Sequence, residues 1–111
     1  MAARRKGPAR PVDVALKRLL ELATKNVPPT RMGREVEIIV AGWTGAAEAE
    51  PAQVREWVED LLETLRTGVA DAEEQVSDTD QSDAAAVKQA DGTLAALTAT
   101  RDAALRALSG L

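Results

Sequence analysis

The chain of 111 residues contains no histidine, cysteine, tyrosine or phenylalanine. Without histidine and cysteine it lacks the side chains that most often act as a general base near neutral pH, as a nucleophile or as a transition-metal ligand. No disulfide framework can form, and the three serines, Ser77, Ser82 and Ser109, fall where capping of helix ends explains them. The sequence therefore predicts a protein without enzymatic activity, cofactor, metal or small-molecule substrate.

The sequence also lacks a long apolar segment. No run of 18 apolar residues occurs, so no transmembrane helix and no membrane partner are expected. Residues 1–10 are basic, but no apolar core and no small-residue cleavage site of a secretory signal follow them. We therefore expect a cytoplasmic protein, a protein exported without a cleaved signal peptide, or a component of a viral particle.

Large apolar side chains are scarce, although apolar residues make up 45% of the chain. Alanine supplies 22 of the 111 residues, and alanine favours helices but buries little surface. A chain of this length is expected to form one domain, and its core would be thin for a monomer. The composition therefore predicts a homo-oligomer, or a complex with a helical protein partner that covers apolar surface.

Apolar residues at helical spacing predict an all-α fold in a single domain over residues 11–111. Pro28-Pro29 ends the first helix and Pro51 suits the start of the third. The β-branched run at residues 36–40 makes a strand the competing prediction, but a period of two fits it less well. The last two helices, joined by the polar connector 77–83, are predicted to form a long antiparallel helical hairpin. The predicted helices span about 11–25, 30–48, 51–76 and 83–108.

Two sets of residues are predicted to form interfaces. Leu61 and Leu65 repeat at coiled-coil spacing on the third helix and are expected to pack near Leu94 and Leu97 of the fourth. Arg101 falls in the same seam, where it would extend to solvent or pair with an acid on the third helix. The only two aromatic residues, Trp43 and Trp57, are interpreted either as core residues or as anchors of a subunit interface.

Charge is segregated along the chain, whose net charge is −4. Residues 1–47 carry a net charge of +5, residues 48–83 one of −10 and residues 84–111 one of +1. Residues 1–10 are predicted to form a basic extended arm that contacts nucleic acid or a neighbouring subunit. The alternative is a disordered tail beside an ordinary solvated acidic helix. The candidate contact residues of the arm are Arg4, Arg5, Lys6 and Arg10.

The triplet Trp43-Thr44-Gly45 lies near the middle of the chain, with a helical pattern on both sides. With the small residues Ala46-Ala47-Glu48-Ala49 and the amphipathic arm that contains Trp57, it resembles the WXG (Trp-X-Gly) family of small type VII secretion substrates over residues 43–76. Members of that family are helical hairpins with the triplet at the turn. The resemblance implies that Trp43 and Gly45 are turn residues of a helical-hairpin dimer that is secreted without a cleaved signal.

Two functions are open at this point. The first is a small helical assembly or interaction protein that acts as an oligomer, of which a type VII-like secreted protein is one specific form. The second is a structural or packaging subunit of a phage or another large particle, by analogy at the level of fold. The secreted form predicts a continuous helix up to Trp43 and a turn there, whereas the particle subunit predicts its turn at residues 77–83.

Overall fold

A computed structural model of the chain describes residues 11–45 and 49–111 and shows an all-α fold over these ranges. Its helices are α1 (Pro11–Thr24), α2 (Pro29–Thr44), α3 (Pro51–Asp78) and α4 (Ala84–Ser109). The predicted fold class is confirmed, and the strand alternative at residues 36–40 is wrong because this run lies inside α2. The predicted arm over residues 1–10 lies outside the described residues, as do residues 46–48 of the predicted second helix.

Proline and aspartate set several of the helix limits. Pro29 and Pro51 lie in the first turn of α2 and α3, where a missing N–H costs no helical hydrogen bond. Asp83 caps α4 by accepting a hydrogen bond of 3.1 Å from the backbone N–H of Ala86. In the turn before it, the backbone N–H and the hydroxyl of Ser82 both donate to Asp80, and these bonds lower the pKa of the Asp80 carboxyl below its ordinary value.

Asn26 makes the turn that separates α1 from α2. Its φ of 57° lies in the left-handed region, which asparagine tolerates better than most residues. The backbone N–H of Asn26 donates to the carbonyl oxygen of Ala23 at 3.0 Å, and that of Val27 donates to Leu22 at 3.3 Å. These bonds end α1, so the segment before Trp43 consists of two helices.

Helix α4 lies at the centre of the bundle, in contact with the three other helices and most extensively with α2 and α3. An added Cβ at Gly33 of α2 would lie only 3.8 Å from the Cβ of Ala103, so the two helices approach closely there. Thr100 is fully buried, and its hydroxyl donates to the carbonyl oxygen of Ala96 at 2.7 Å. Small residues allow this close packing; the buried residues of α4 are Ala90, Ala96, Leu97, Thr100, Ala103 and Ala104.

Helices α3 and α4 fold back on each other through residues 79–83 and pack closely as a helical hairpin. The Cδ1 atom of Leu97 lies 3.9 Å from the position of an added Cβ at Gly68, about one turn beyond Leu65. Arg101 donates two hydrogen bonds, of 3.0 and 3.1 Å, to Asp102 on its own helix. Of the two expectations for Arg101, pairing with an acid on α3 is therefore wrong, and its side chain is partly exposed. The adjacent residue Thr100 takes the buried position.

Candidate functional site

Most of the residues that were predicted to form interfaces have side chains that are buried inside a single chain. Leu61 and Leu65 are fully buried, Leu97 is buried, and Leu94 is half-buried against the same core. These leucines therefore belong to the hydrophobic core of a single chain, to which both α3 and α4 contribute. Gly45 is exposed and caps α2, with its N–H donating to the carbonyl oxygen of Ala41 at 3.0 Å.

Trp43 and Trp57 contact each other edge to face. Their ring centroids are 5.7 Å apart and their planes meet at 65°, a favourable aromatic geometry. Trp43 is 8% exposed and belongs to the core, whereas Trp57 is half-buried and packs against it. The pair joins the end of α2 to the beginning of α3. Within one chain, both tryptophans therefore make the contacts of core residues.

A groove of about 410 Å³ lies between α1 and α2. On each helix, the lining residues follow one another at intervals of one or three positions. They therefore share one face of that helix. We call this surface the α1–α2 groove. Its lining residues are Pro11, Val14, Ala15 and Arg18 from α1, and Ile38, Ile39, Gly42 and Trp43 from α2.

Two large apolar side chains of the α1–α2 groove extend into solvent. Val14 is 58% exposed and Ile38 is 53% exposed. Gly42 follows Ile38 by one turn, and no atom lies within 4 Å of the place that its Cβ would occupy. We call this open space the notch at Gly42. Sequence reasoning missed Val14 and Ile38, although the signal was present: they are the apolar residues that the helical period leaves outside the buried stripe.

The α1–α2 groove is formed by two helices without net charge. Helices α1 and α2 each carry two cationic and two anionic side chains. Arg18 and Glu35 form an ion pair of 2.5 Å between the two helices. Helix α3 differs, because it carries eight acidic and two basic side chains. The apolar groove and the acidic surface of the chain thus lie on different helices.

Within residues 11–45 and 49–111, no helix has the length and apolarity needed to cross a bilayer. The same two ranges contain no group of three or more residues placed to hold a metal ion. Comparisons of the chain with protein-family models, with characterised proteins and with solved structures find no match.

Proposed function

We propose that the protein is a non-enzymatic helical assembly protein that acts as an oligomer through the α1–α2 groove. The observation that carries the proposal is the exposure of Val14 and Ile38 on one apolar surface. A contiguous apolar surface on a small protein is typical of a site that a protein partner covers. Helices without net charge favour contacts between copies, because two such surfaces meet without net repulsion.

The core of the chain supports the same proposal. Helix α4, the central element, buries four alanines, one threonine and one leucine. These residues provide little apolar area, so the hydrophobic stabilisation of a single chain is limited. Association would add apolar burial and would stabilise the folded chain by mass action.

A type VII-like secreted helical hairpin is the more specific form of this proposal. It rests on the triplet Trp43-Thr44-Gly45, and the end of α2 at Thr44 with Gly45 as its cap favours it. The turn at Asn26 counts against it, because the resemblance implies a single helix before the triplet.

The alternative is a structural or packaging subunit of a phage or another large particle. The long hairpin of α3 and α4 favours it, with its turn at residues 79–83. The segregation of charge favours it as well, because a basic arm on one subunit would be attracted to the acidic α3 of a neighbour or to a phosphate backbone. The arm residues concerned are Arg4, Arg5, Lys6 and Arg10.

The mass of the protein in solution tests the proposed function. We expect light scattering to give a mass above the monomer value of 11.8 kDa that increases with concentration. Self-association follows because the exposed apolar side chains leave water when two chains meet. A closed assembly of many copies, or one that forms only with DNA, would favour the particle subunit. A mass of 11.8 kDa at every concentration, with and without DNA, would contradict both forms of the proposal.

Deletion of residues 2–10 tests the role of the basic arm. We expect the helical content and the unfolding midpoint to change little, because the deleted residues precede α1. Self-association or DNA binding should weaken, and the lost part should be the salt-sensitive part, because the deleted charges are all positive. Circular dichroism and binding titrations at low and moderate salt would measure these effects.

A charge-neutral arm is the matched control for the deletion. Replacement of the four basic arm residues by glutamine keeps the length of the chain and removes the charge. We expect this variant to lose as much salt-sensitive binding as the deletion does. A deleted chain that unfolds, or that associates with the strength and salt dependence of the intact chain, would show the prediction to be wrong.

A further inference from the structure

We infer that the α1–α2 groove binds the α1–α2 groove of a second copy of this chain, with Ile38 of each copy in the notch at Gly42 of the other. The inference rests on the proposed assembly function and names its partner. The resulting dimer is two-fold symmetric, so one surface serves both copies and has to be complementary to itself. Shape, charge and area each meet this requirement.

The shape of α2 is self-complementary. Ile38 and Gly42 are four residues apart and therefore neighbours on one face of the helix. Ile38 protrudes into solvent, whereas the notch at Gly42 is open. When two helices cross, side chains in rows four residues apart pack into the gaps of the facing helix. Two copies of α2 can therefore place each Ile38 in the partner's notch at the same time.

Charge favours a second copy of the same surface. Because α1 and α2 each have equal numbers of acidic and basic side chains, two such surfaces approach without net repulsion. Two copies of α3 would repel each other, since each carries eight acids and two bases. Arg18 lines the groove and already has Glu35 as its ion-pair partner, so it needs no acidic group from the second copy.

The available area fits a dimer of modest affinity. Helix α2 has 16 residues. At the helical rise it is about 24 Å long, and two adjacent helices are about 20 Å wide, so the surface covers about 500 Å² per copy. Two copies would bury about 1,000 Å², which is about the minimum for a biological interface and falls in the range of weak, transient contacts. We therefore expect a weak dimer whose population depends on protein concentration.

Three glutamine variants test the contact. Ile38→Gln removes the protruding apolar side chain, and Gly42→Gln fills the notch, without any change of charge. Both positions are exposed, and Gly42 has open space around it, so both variants should stay folded and keep the helical content of the original chain. Leu105→Gln is the matched control, because Leu105 is an exposed aliphatic residue on α4, away from the groove.

Sedimentation equilibrium of the four full-length chains gives the result. We expect the dimer dissociation constant to rise at least about tenfold for Ile38→Gln and for Gly42→Gln, as for residues at the centre of an interface, and to stay unchanged for Leu105→Gln. If the original chain associates and either groove variant keeps its dissociation constant, the inference is overturned together with the role of the groove in the proposed function, and only assembly through another surface stands. Assemblies larger than dimers overturn the two-fold geometry. An original chain that stays monomeric overturns the inference and the proposed function together.

Discussion

Replacement of Leu61 by alanine is expected to lower the free energy of unfolding by about 2–4 kcal/mol. Leu61 is fully buried in the core cluster. The substitution removes its apolar contacts and leaves a cavity, and the cost depends on how far neighbouring side chains can relax into the space. Helix α4 packs against α3, and four of its six buried residues are alanines, whose side chains have no rotamers with which to fill a cavity. Urea denaturation should show a lower midpoint with an unchanged slope.

Leu105→Ala is the control for this prediction, because it makes the same chemical change at an exposed site. Leu105 is 44% exposed on α4, and its replacement should change the free energy of unfolding by no more than about 0.5 kcal/mol. Leu94→Ala should fall between the two, since Leu94 is half-buried. Equal midpoints for the Leu61 and Leu105 variants would contradict the burial of α3 in the core.

Gly92→Ala is expected to destabilise the protein, although alanine is the better helix former. At Gly42 an added Cβ meets no atom within 4 Å, so Gly42→Ala should stabilise the chain by about 0.5–1 kcal/mol. At Gly92 an added Cβ would lie 2.8 Å from Cγ of Asn26 and closer still to its Oδ1. Overpacking of this kind costs about 1–3 kcal/mol, which exceeds the gain in helix preference over most of that range. The two substitutions should therefore have opposite signs in thermal or urea unfolding.

Hydrogen bonds oppose a movement of the Asn26 side chain away from a new methyl group at Gly92. Its Nδ2 atom donates a long hydrogen bond of 3.5 Å to the carbonyl oxygen of Gln89, whose own Nε2 donates to Thr24 at 2.8 Å. Hydrogen bonds in both directions thus join α4 to the end of α1 and the turn after it. The left-handed backbone of Asn26, with φ of 57°, restricts it further.

The double variant Asn26→Gly/Gly92→Ala tests the cause of the loss. Glycine adopts the left-handed backbone of residue 26 without strain and removes the obstructing side chain. We therefore expect Gly92→Ala to cost much less in the Asn26→Gly background than in the original chain, as measured in a double-mutant cycle. Additive effects of the two substitutions would show that the close approach of Asn26 to Gly92 does not determine the stability of this contact.

The parts of the fold that depend on local signals could be predicted from the sequence. Pro28-Pro29 and Pro51 mark helix limits because a missing backbone donor acts within a single helical turn. The apolar stripe of α3, which includes Leu61 and Leu65, is regular because one face of this helix is buried and its acidic side chains occupy the others. The all-α class and the hairpin followed from these signals.

The burial pattern of α4 could not be predicted in this way. This helix contacts three others, so its buried face is wider than a heptad seam, and Ala96, Thr100 and Ala103 are too small to mark a hydrophobic face. The heptad therefore placed Arg101 in the seam, next to the residue that occupies it. The contact of Asn26 with Gly92 joins distant positions that no local pattern connects.

The α1–α2 groove could be predicted only in part. The helical period places Val14 and Ile38 outside the buried stripe, but it does not say whether another helix covers them. That depends on how the four helices pack, which places α4 against α2 and α3 and leaves these two side chains exposed. The notch at Gly42 depends on the same packing. Gly33 is also a glycine of α2, but α4 covers it, whereas no atom lies near the missing side chain of Gly42.

The central position of α4 has a consequence for synthesis on the ribosome. Helices α2 and α3 contact α4 far more than they contact each other. Their apolar faces therefore remain uncovered in the nascent chain until residues 84–109 have left the exit tunnel. The bundle completes its core only then, and during that interval the uncovered faces are substrates for chaperones that bind apolar segments.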